Sequence, residues 1–151
     1  MYQRILVPID GSETSERGLK EAIQLAQLSK AKLCLLNLVN DFALMVEMSS
    51  KIDFEQYRES LNQFGKELLE KSSKLAAEHG VVSEMLVREL RGGRVSQAIV
   101  DEARDSRCDL IVMGSHGRRG FNRAMLGSDA ESVLRTSPVP VLVVRDPSQP
   151  R

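Results

Sequence analysis

Apolar residues recur along this chain in two rhythms. Five short runs are almost continuously apolar, and between them apolar residues return every three or four positions. Unbroken runs suit strands covered on both faces of a parallel sheet, whereas the wider spacing suits helices with one buried face. Residues 3–9 (QRILVPI) form the first run, with Ile5, Leu6, Val7 and Ile9 apolar. Pro8 stands near its C-terminal end, where one missing ladder donor is tolerable. Residues 32–40 (KLCLLNLVN), 108–114 (CDLIVMG) and 139–144 (VPVLVV) read the same way. Residues 81–90 (VVSEMLVREL) are more polar, which predicts a place nearer a sheet edge.

The intervening segments predict four helices. After the first strand, DGSETSERG turns the chain, with Ser12 suited to an N-cap and Glu13 and Glu16 to the positive end of a helix. Leu19, Ala22, Ile23 and Ala26 then mark one face, and the helix should end near Ser29. From Phe54 a long helix is expected, with Phe54, Tyr57, Leu61, Phe64 and Leu68 as its core stripe and His79-Gly80 closing it. A third helix follows RGGR with Val95, Ala98, Ile99 and Ala103 on one face, and a fourth covers residues 128–136. Residues 41–52 (DFALMVEMSSKI) have no clean period and read as a loop, a candidate flap.

Strands and helices therefore alternate, which predicts a doubly wound parallel α/β sheet with helices on both faces, because right-handed crossovers are strongly preferred. Residues 1–146 form one domain and 147–151, with Pro147 and Pro150, a short tail that is expected to be flexible. Ligands in such sheets bind at the carboxyl ends of the strands where the winding reverses. Two strand ends stand out chemically: Pro8-Ile9-Asp10-Gly11 and Met113-Gly114.

Composition narrows the function classes. The chain has 151 residues and 21 basic against 21 acidic side chains, so any site for an anion must be local. Nothing global points to nucleic acid or an anionic membrane surface. The N-terminus lacks the pattern of a signal peptide, and no apolar run reaches the ~20 residues that span a bilayer. A cytoplasmic location is the expectation. Cys34 and Cys108 lie in or beside apolar runs and form no CxxC pair, which predicts buried free thiols in a reducing compartment.

The densest chemistry lies in residues 112–135, VMGSHGRRGFNRAMLGSDAESVLR. Gly114, Gly117, Gly120 and Gly127 share one loop with Arg118, Arg119 and Arg123, and no acidic residue stands between Gly114 and Gly127. Glycines let backbone approach a ligand, and the helix that follows adds unsatisfied N–H donors and partial positive charge. A phosphate would suit that field. Against this, Ser128 to Glu131 spells S-x-x-E, a capping box that would satisfy the helix donors by itself, and glycines after a strand are common punctuation. The two readings can coexist.

Other familiar sites are missing: there is no G-x-x-x-x-G-K-[ST], no G-x-G-x-x-G after the first strand and no G-x-S-x-G. Asp10 can accept hydrogen bonds from ribose hydroxyls or an adenine amine, or ligate a cation. It can equally fix the turn before the first helix. His79 and His116 have no metal-ligand spacing; His116 can reach a phosphate, though an exposed loop histidine is the simpler reading.

The pattern G-2x-G-9x-G-[ST], here Gly114, Gly117, Gly127 and Ser128, together with ILVPIDGS near the N-terminus and SPVPVLVVR near the C-terminus, strongly resembles the universal stress protein family. The likeness runs from Ile5 to Val144 and includes RGGRVSQAIVDEARDSRCDLIVMGSHGRRG. The resemblance implies a five-stranded sheet in the order 3-2-1-4-5 with four helices, which puts the winding reversal between strands one and four. It also implies the family's ATP-binding branch, since the glycine motif is intact. By position, Pro8, Ile9, Asp10 and Leu38 would surround adenine and ribose, and Met113 and Gly114 would line the nucleotide. Gly117, Arg118, Gly127, Ser128 and the Asp129 backbone would take the phosphates, with Mg²⁺ held through them. The resemblance further implies a homodimer through the last strand, bounded by Val139 and Val144, which would also protect an apolar edge. Residues 41–52 belong to the part of the family that varies, so lid, dimer contact and partner surface all stay open for them.

The functional expectation is thus an ATP-binding, nucleotide-dependent stress-response regulator. Phosphoryl transfer needs a positioned nucleophile, a metal and charge stabilisation. The arginines can supply the last and Ser128 or Asp10 can hold Mg²⁺, but no general base is visible, so at most slow ATP hydrolysis is expected. A weak ATPase or adenylyl-transferring enzyme and a nucleotide-free dimeric scaffold are the alternatives. An FMN module is disfavoured, because four Phe, two Tyr and no Trp leave little to flank a flavin.

Overall fold

A computed structural model of the chain describes residues 1–40, 54–90, 92–116 and 125–147. The elements, in order, are β1 (Arg4–Pro8), α1 (Glu13–Ser29), β2 (Lys32–Asn40), α2 (Phe54–Glu78), β3 (Ser83–Leu90), α3 (Val95–Asp105), β4 (Leu110–Gly114), α4 (Ser128–Thr136) and β5 (Val141–Val144). The strands form one sheet in the order β3-β2-β1-β4-β5, and every neighbouring pair is parallel. β3 is at one edge, as its polarity predicts. The loop expected over 41–52 lies outside the described residues, as does most of the tail.

Each central strand alternates between two cores. Ile5, Val7 and Ile9 of β1 and its extension face one way, with Leu33, Leu35, Leu110 and Val112, and are covered by α1 and α2 through Leu19, Ala22, Ile23, Leu69 and Ala76. Leu6, Cys34, Leu36, Ile111 and Met113 face the other way, under Ile99, Val100 and Ala103 of α3 and Ala130 and Val133 of α4. Both faces being dry explains why these runs are apolar throughout rather than alternating.

Local chemistry ends the helices as well as starting them. Ser12 caps α1, its side chain accepting from the Ser15 N–H at 3.2 Å, and Lys30 closes the helix in the left-handed region at φ 58°. Gly80 takes φ 71° after α2, a conformation that glycine adopts without steric cost. The stripe of α2 departs from the sequence expectation. Gly65, Leu69, Ser72 and Ala76 are the buried positions, while Tyr57, Leu61 and Leu68 are half-buried and Phe64 is 45% exposed. Gly65 is selected because α2 packs so closely on β2 that a Cβ there would run into the Asn37 side-chain amide.

Polar groups gather where the strands begin. Arg4 donates to the Ser106 carbonyl at 2.8 Å and reaches Glu84 at 3.3 Å and Cys34 Sγ at 3.2 Å. Cys34 and Cys108 are both free and buried, as expected. The Cys108 thiol, hydrogen-bonded to Cys34, lowers the Cys34 pKa, with help from Arg4, and the same contact together with burial raises that of Cys108.

Glu84 is held below the ordinary carboxylate value of 4.5 by its hydrogen bond from Lys32, at 3.1 Å, and by Arg4. A depressed folded pKa stabilises above the unfolded value and that stabilisation fades as the pH falls through the folded one. In urea unfolding at about pH 6 and about pH 3, wild type should therefore lose more stability on acidification than Glu84→Gln does. The difference will be small, because the side chain is one-third exposed and screened. Equal acid losses in the two proteins would show that the contact carries no such linkage.

Candidate functional site

β1 and β4 are neighbours, with Ile5 opposite Leu110 and Leu6 opposite Ile111. The winding reverses between them, the point at which sheets of this kind open a crevice at the carboxyl ends of their strands. On the β1 side, Ile9 donates its N–H to the Leu36 carbonyl at 2.7 Å and accepts from Asn37 Nδ2 at 2.8 Å. Asp10 Oδ1 accepts the Ser12 N–H at 2.8 Å, and Gly11 takes φ 83°. Asp10 thus fixes the turn into α1 with one oxygen, an Asx turn. Its turn role is realised, and it stands half-buried at the crevice. Leu38 lies on β2, half-buried against the α3–α4 core, beyond the Pro8–Leu36 pair.

The β4 side is tighter. Met113 is buried and Gly114 is the last strand residue. A Cβ on Gly114 would lie 2.7 Å from the Thr14 carbonyl carbon and 2.9 Å from the Ser15 nitrogen, so the first turn of α1 rests directly on this glycine. The Ser115 N–H then donates to the Val144 carbonyl at 2.9 Å, and the Ser115 carbonyl accepts the Gly127 N–H at 2.8 Å. The chain therefore leaves and re-enters the crevice at one point. Gly127 is needed there because its Cβ would sit 2.7 Å from that same carbonyl oxygen. At Gly114 and Gly127 the protein's own backbone also comes close.

One correction concerns α4. Gly127, not Ser128, is its N-cap, the first helical bond runs from the Glu131 N–H to the Gly127 carbonyl at 2.9 Å, and the cap residue itself has no side chain to offer. The expected capping box does not form. Glu131 instead pairs with Arg135 at 2.8 Å, one turn along. Ser128 and Asp129 are exposed in the first turn, whose N–H groups have no intrahelical partner. A helix N-terminus beside a strand end suits an anionic group.

Pro8, Ile9, Asp10, Met113, Gly114, Gly127, Ser128 and Asp129 thus gather around the ends of β1 and β4, with Leu38 on the adjoining strand. Gly117 and Arg118, like Arg119 and Arg123, lie outside the described residues. Sequence reasoning missed Thr14, Gly18, Asn37 and Ser115. Asn37 had a signal, a lone amide inside an apolar run, and Gly18 another, a glycine within a helix. A Cβ added to Gly18 would lie 3.4 Å from the Met113–Gly114 peptide. Among the described residues no cluster of three or more His, Cys, Asp or Glu side chains is placed to hold a metal.

A surface groove of about 700 Å³ lies elsewhere, between α2 and the end of β3, lined by Glu55, Gln56, Arg58, Glu59, Asn62 and Glu89. Three of these six side chains are acidic, and Arg58 is bound by Glu89 through both Nε and Nη2, at 3.1 and 2.7 Å. A phosphate-bearing ligand fits the β1–β4 crevice better.

Comparison with known proteins shows the family. A family model described as the universal stress protein family matches residues 1–145. Universal stress protein MJ0531 of Methanocaldococcus jannaschii is 36% identical over 149 residues, covering 99% of this chain and 85% of that protein. The solved structure of MJ0577, from the same organism, superposes with a TM-score of 0.84 at 30% identity, covering 99% of each chain. A universal stress protein solved in complex with cAMP superposes with a TM-score of 0.65 at 25% identity, covering 95% of this chain and 97% of the other.

Proposed function

Because the chain belongs to the universal stress protein family, we propose that it binds ATP with Mg²⁺ in the β1–β4 crevice and acts as a nucleotide-dependent stress-response regulator. One observation carries the reading: the N-terminus of α4, with glycine as its N-cap, is held beside the ends of β1 and β4 by the Gly127–Ser115 hydrogen bond. A family relative solved with cAMP supports an adenine nucleotide as the ligand class. Pro8, Ile9, Asp10 and Leu38 surround adenine and ribose. Asp10 has one carboxylate oxygen committed to the turn and offers the other. Met113 and Gly114 line the nucleotide. Gly117, Arg118, Gly127, Ser128 and the Asp129 backbone take the phosphates, and Mg²⁺ is held through them. No residue is assigned a catalytic role.

The homodimer belongs to the same reading. β5 is an edge strand with Leu142 39% exposed, and pairing with a second copy would cover it. Among the described residues no helix is long and apolar enough to cross a membrane, and we place the protein's work in the cytoplasm.

Isothermal titration of wild type and Ser128→Ala with MgATP tests the proposal, alongside chromatography of any nucleotide released on denaturation. ATP should bind wild type, and Ser128→Ala should bind it about tenfold more weakly through one lost hydrogen bond to a charged group. Wild type that carries no nucleotide and shows no affinity for MgATP would leave the nucleotide-free scaffold as the better description.

A further inference from the structure

Asn37 is a buried amide in the apolar run of β2, with leucine on either side of it in the chain. Burying an amide costs free energy unless it is hydrogen-bonded. Here Asn37 Nδ2 donates to the Ile9 carbonyl at 2.8 Å. The register of β1 with β2 ends at Pro8 opposite Leu36, so this carbonyl lies just past the paired strand and a side chain holds it there. The other end of the same peptide is held as well, since the Asp10 N–H donates to Ser15 Oγ at 3.3 Å. Gly65 of α2 leaves the amide its room, because a Cβ at that position would run into it.

From this we infer that Asn37 is a positioning residue of the adenosine half of the crevice, acting through the Ile9–Asp10 peptide and not by touching the ligand. The inference rests on the nucleotide reading above, in which Asp10 offers one oxygen to the ribose. A trans peptide is planar, and its plane contains the Cα of the residue that follows. Anchoring the Ile9 carbonyl and the Asp10 N–H together therefore sets where the Asp10 side chain begins. Ser15 supplies one anchor from α1 and Asn37 the other from β2, so the end of β1 is pinned from both neighbours. The Ser12 N–H then takes Asp10 Oδ1 at 2.8 Å, which leaves the second oxygen for ribose hydroxyls. Removing the amide frees one end of the peptide plane, and the second oxygen turns away with it.

The test separates positioning from support of the fold. Asn37→Leu removes the donor and matches the apolar run, and Asn37→Ala stands in should the leucine not fold. Asp10→Asn keeps the acceptor that makes the turn and replaces the free oxygen with a donor. Each single variant and the double variant are titrated with MgATP and with the Mg²⁺ complex of dideoxy-ATP, which lacks both ribose hydroxyls. Asn37→Leu should weaken ATP about tenfold and dideoxy-ATP less than about twofold. In the Asp10→Asn background it should weaken ATP by less than about twofold further, because residues acting along one path are not additive. Unchanged ATP affinity in Asn37→Leu would overturn the inference while leaving the nucleotide site standing. Equal losses for the two nucleotides would also overturn it, as would a full tenfold further loss in the Asp10→Asn background or an Asp10→Asn protein that binds ATP as tightly as wild type. Wild type that binds neither nucleotide would remove the nucleotide reading and this inference with it.

Discussion

Gly114→Ala should lower stability by about 3 kcal/mol, because overpacking a filled site forces backbone to move. One methyl group is added, yet it would stand 2.7 Å from the Thr14 carbonyl carbon and 2.9 Å from the Ser15 nitrogen. Neither is the far end of a flexible chain, so α1 must shift off β4 to admit it. For a domain of this size the change should lower the melting temperature by about 6–12 °C. Gly127→Ala meets only one such atom, the Ser115 carbonyl oxygen at 2.7 Å. It should cost less stability and more ATP affinity, since relief comes from displacing the start of α4. Neither glycine has a positive φ, whereas Gly11, Gly80, Gly92 and Gly93 do. The expected damage is therefore contact and not backbone strain. Urea unfolding and ATP titration of both variants check this; a Gly114→Ala protein as stable as wild type would show that α1 does not bear on β4.

Leu69→Ala is the second large effect, about 3 kcal/mol, through lost burial and the cavity left behind. Leu69 is wholly buried in the core shared by α1 and α2, alongside Leu33, Leu35 and Ala76. Phe64→Ala removes a larger side chain from the same helix, but one already 45% exposed, and should cost less than half as much. The ordering of the two urea midpoints is the measurement. It is the reverse of what hydrophobic spacing alone implies, since the apparent stripe ran through Phe64 and Leu68.

That reversal marks how far the sequence could be read. α2 has apolar residues at more positions than one face can hold, so spacing left its rotation ambiguous. The buried line is chosen by small residues, Gly65, Ser72 and Ala76, which let the helix approach β2 and make room for Asn37. Small residues carry little signal in a hydrophobic pattern. The S-x-x-E sequence at Ser128 fails for a related reason: Gly127 is drawn to Ser115 by a backbone hydrogen bond, which sets the helix start without help from a side chain.

Other features needed no structure. Unbroken apolar runs with amphipathic segments between them belong to strands that are covered on both faces, and parallel strands require those crossovers. The element order, the edge position of the polar third strand and the limits of β2 and α4 follow from that alone. So does the Ser12 cap, because a cap is a contact between residues three apart. The strand order came with the family motif and agrees with the sheet.

What the sequence by itself determined is therefore everything governed by near neighbours: the elements, their alternation, the turn at Asp10 and the glycine spacing that identifies the family. Tertiary structure alone decided which atoms press on those glycines, which face α2 buries and which side chain holds the carbonyl just past the end of β1. Those outcomes join residues on different elements, Gly114 with Thr14 and Gly65 with Asn37 among them, and short-range pattern carries no information about contacts that exist only after the sheet and its helices have come together.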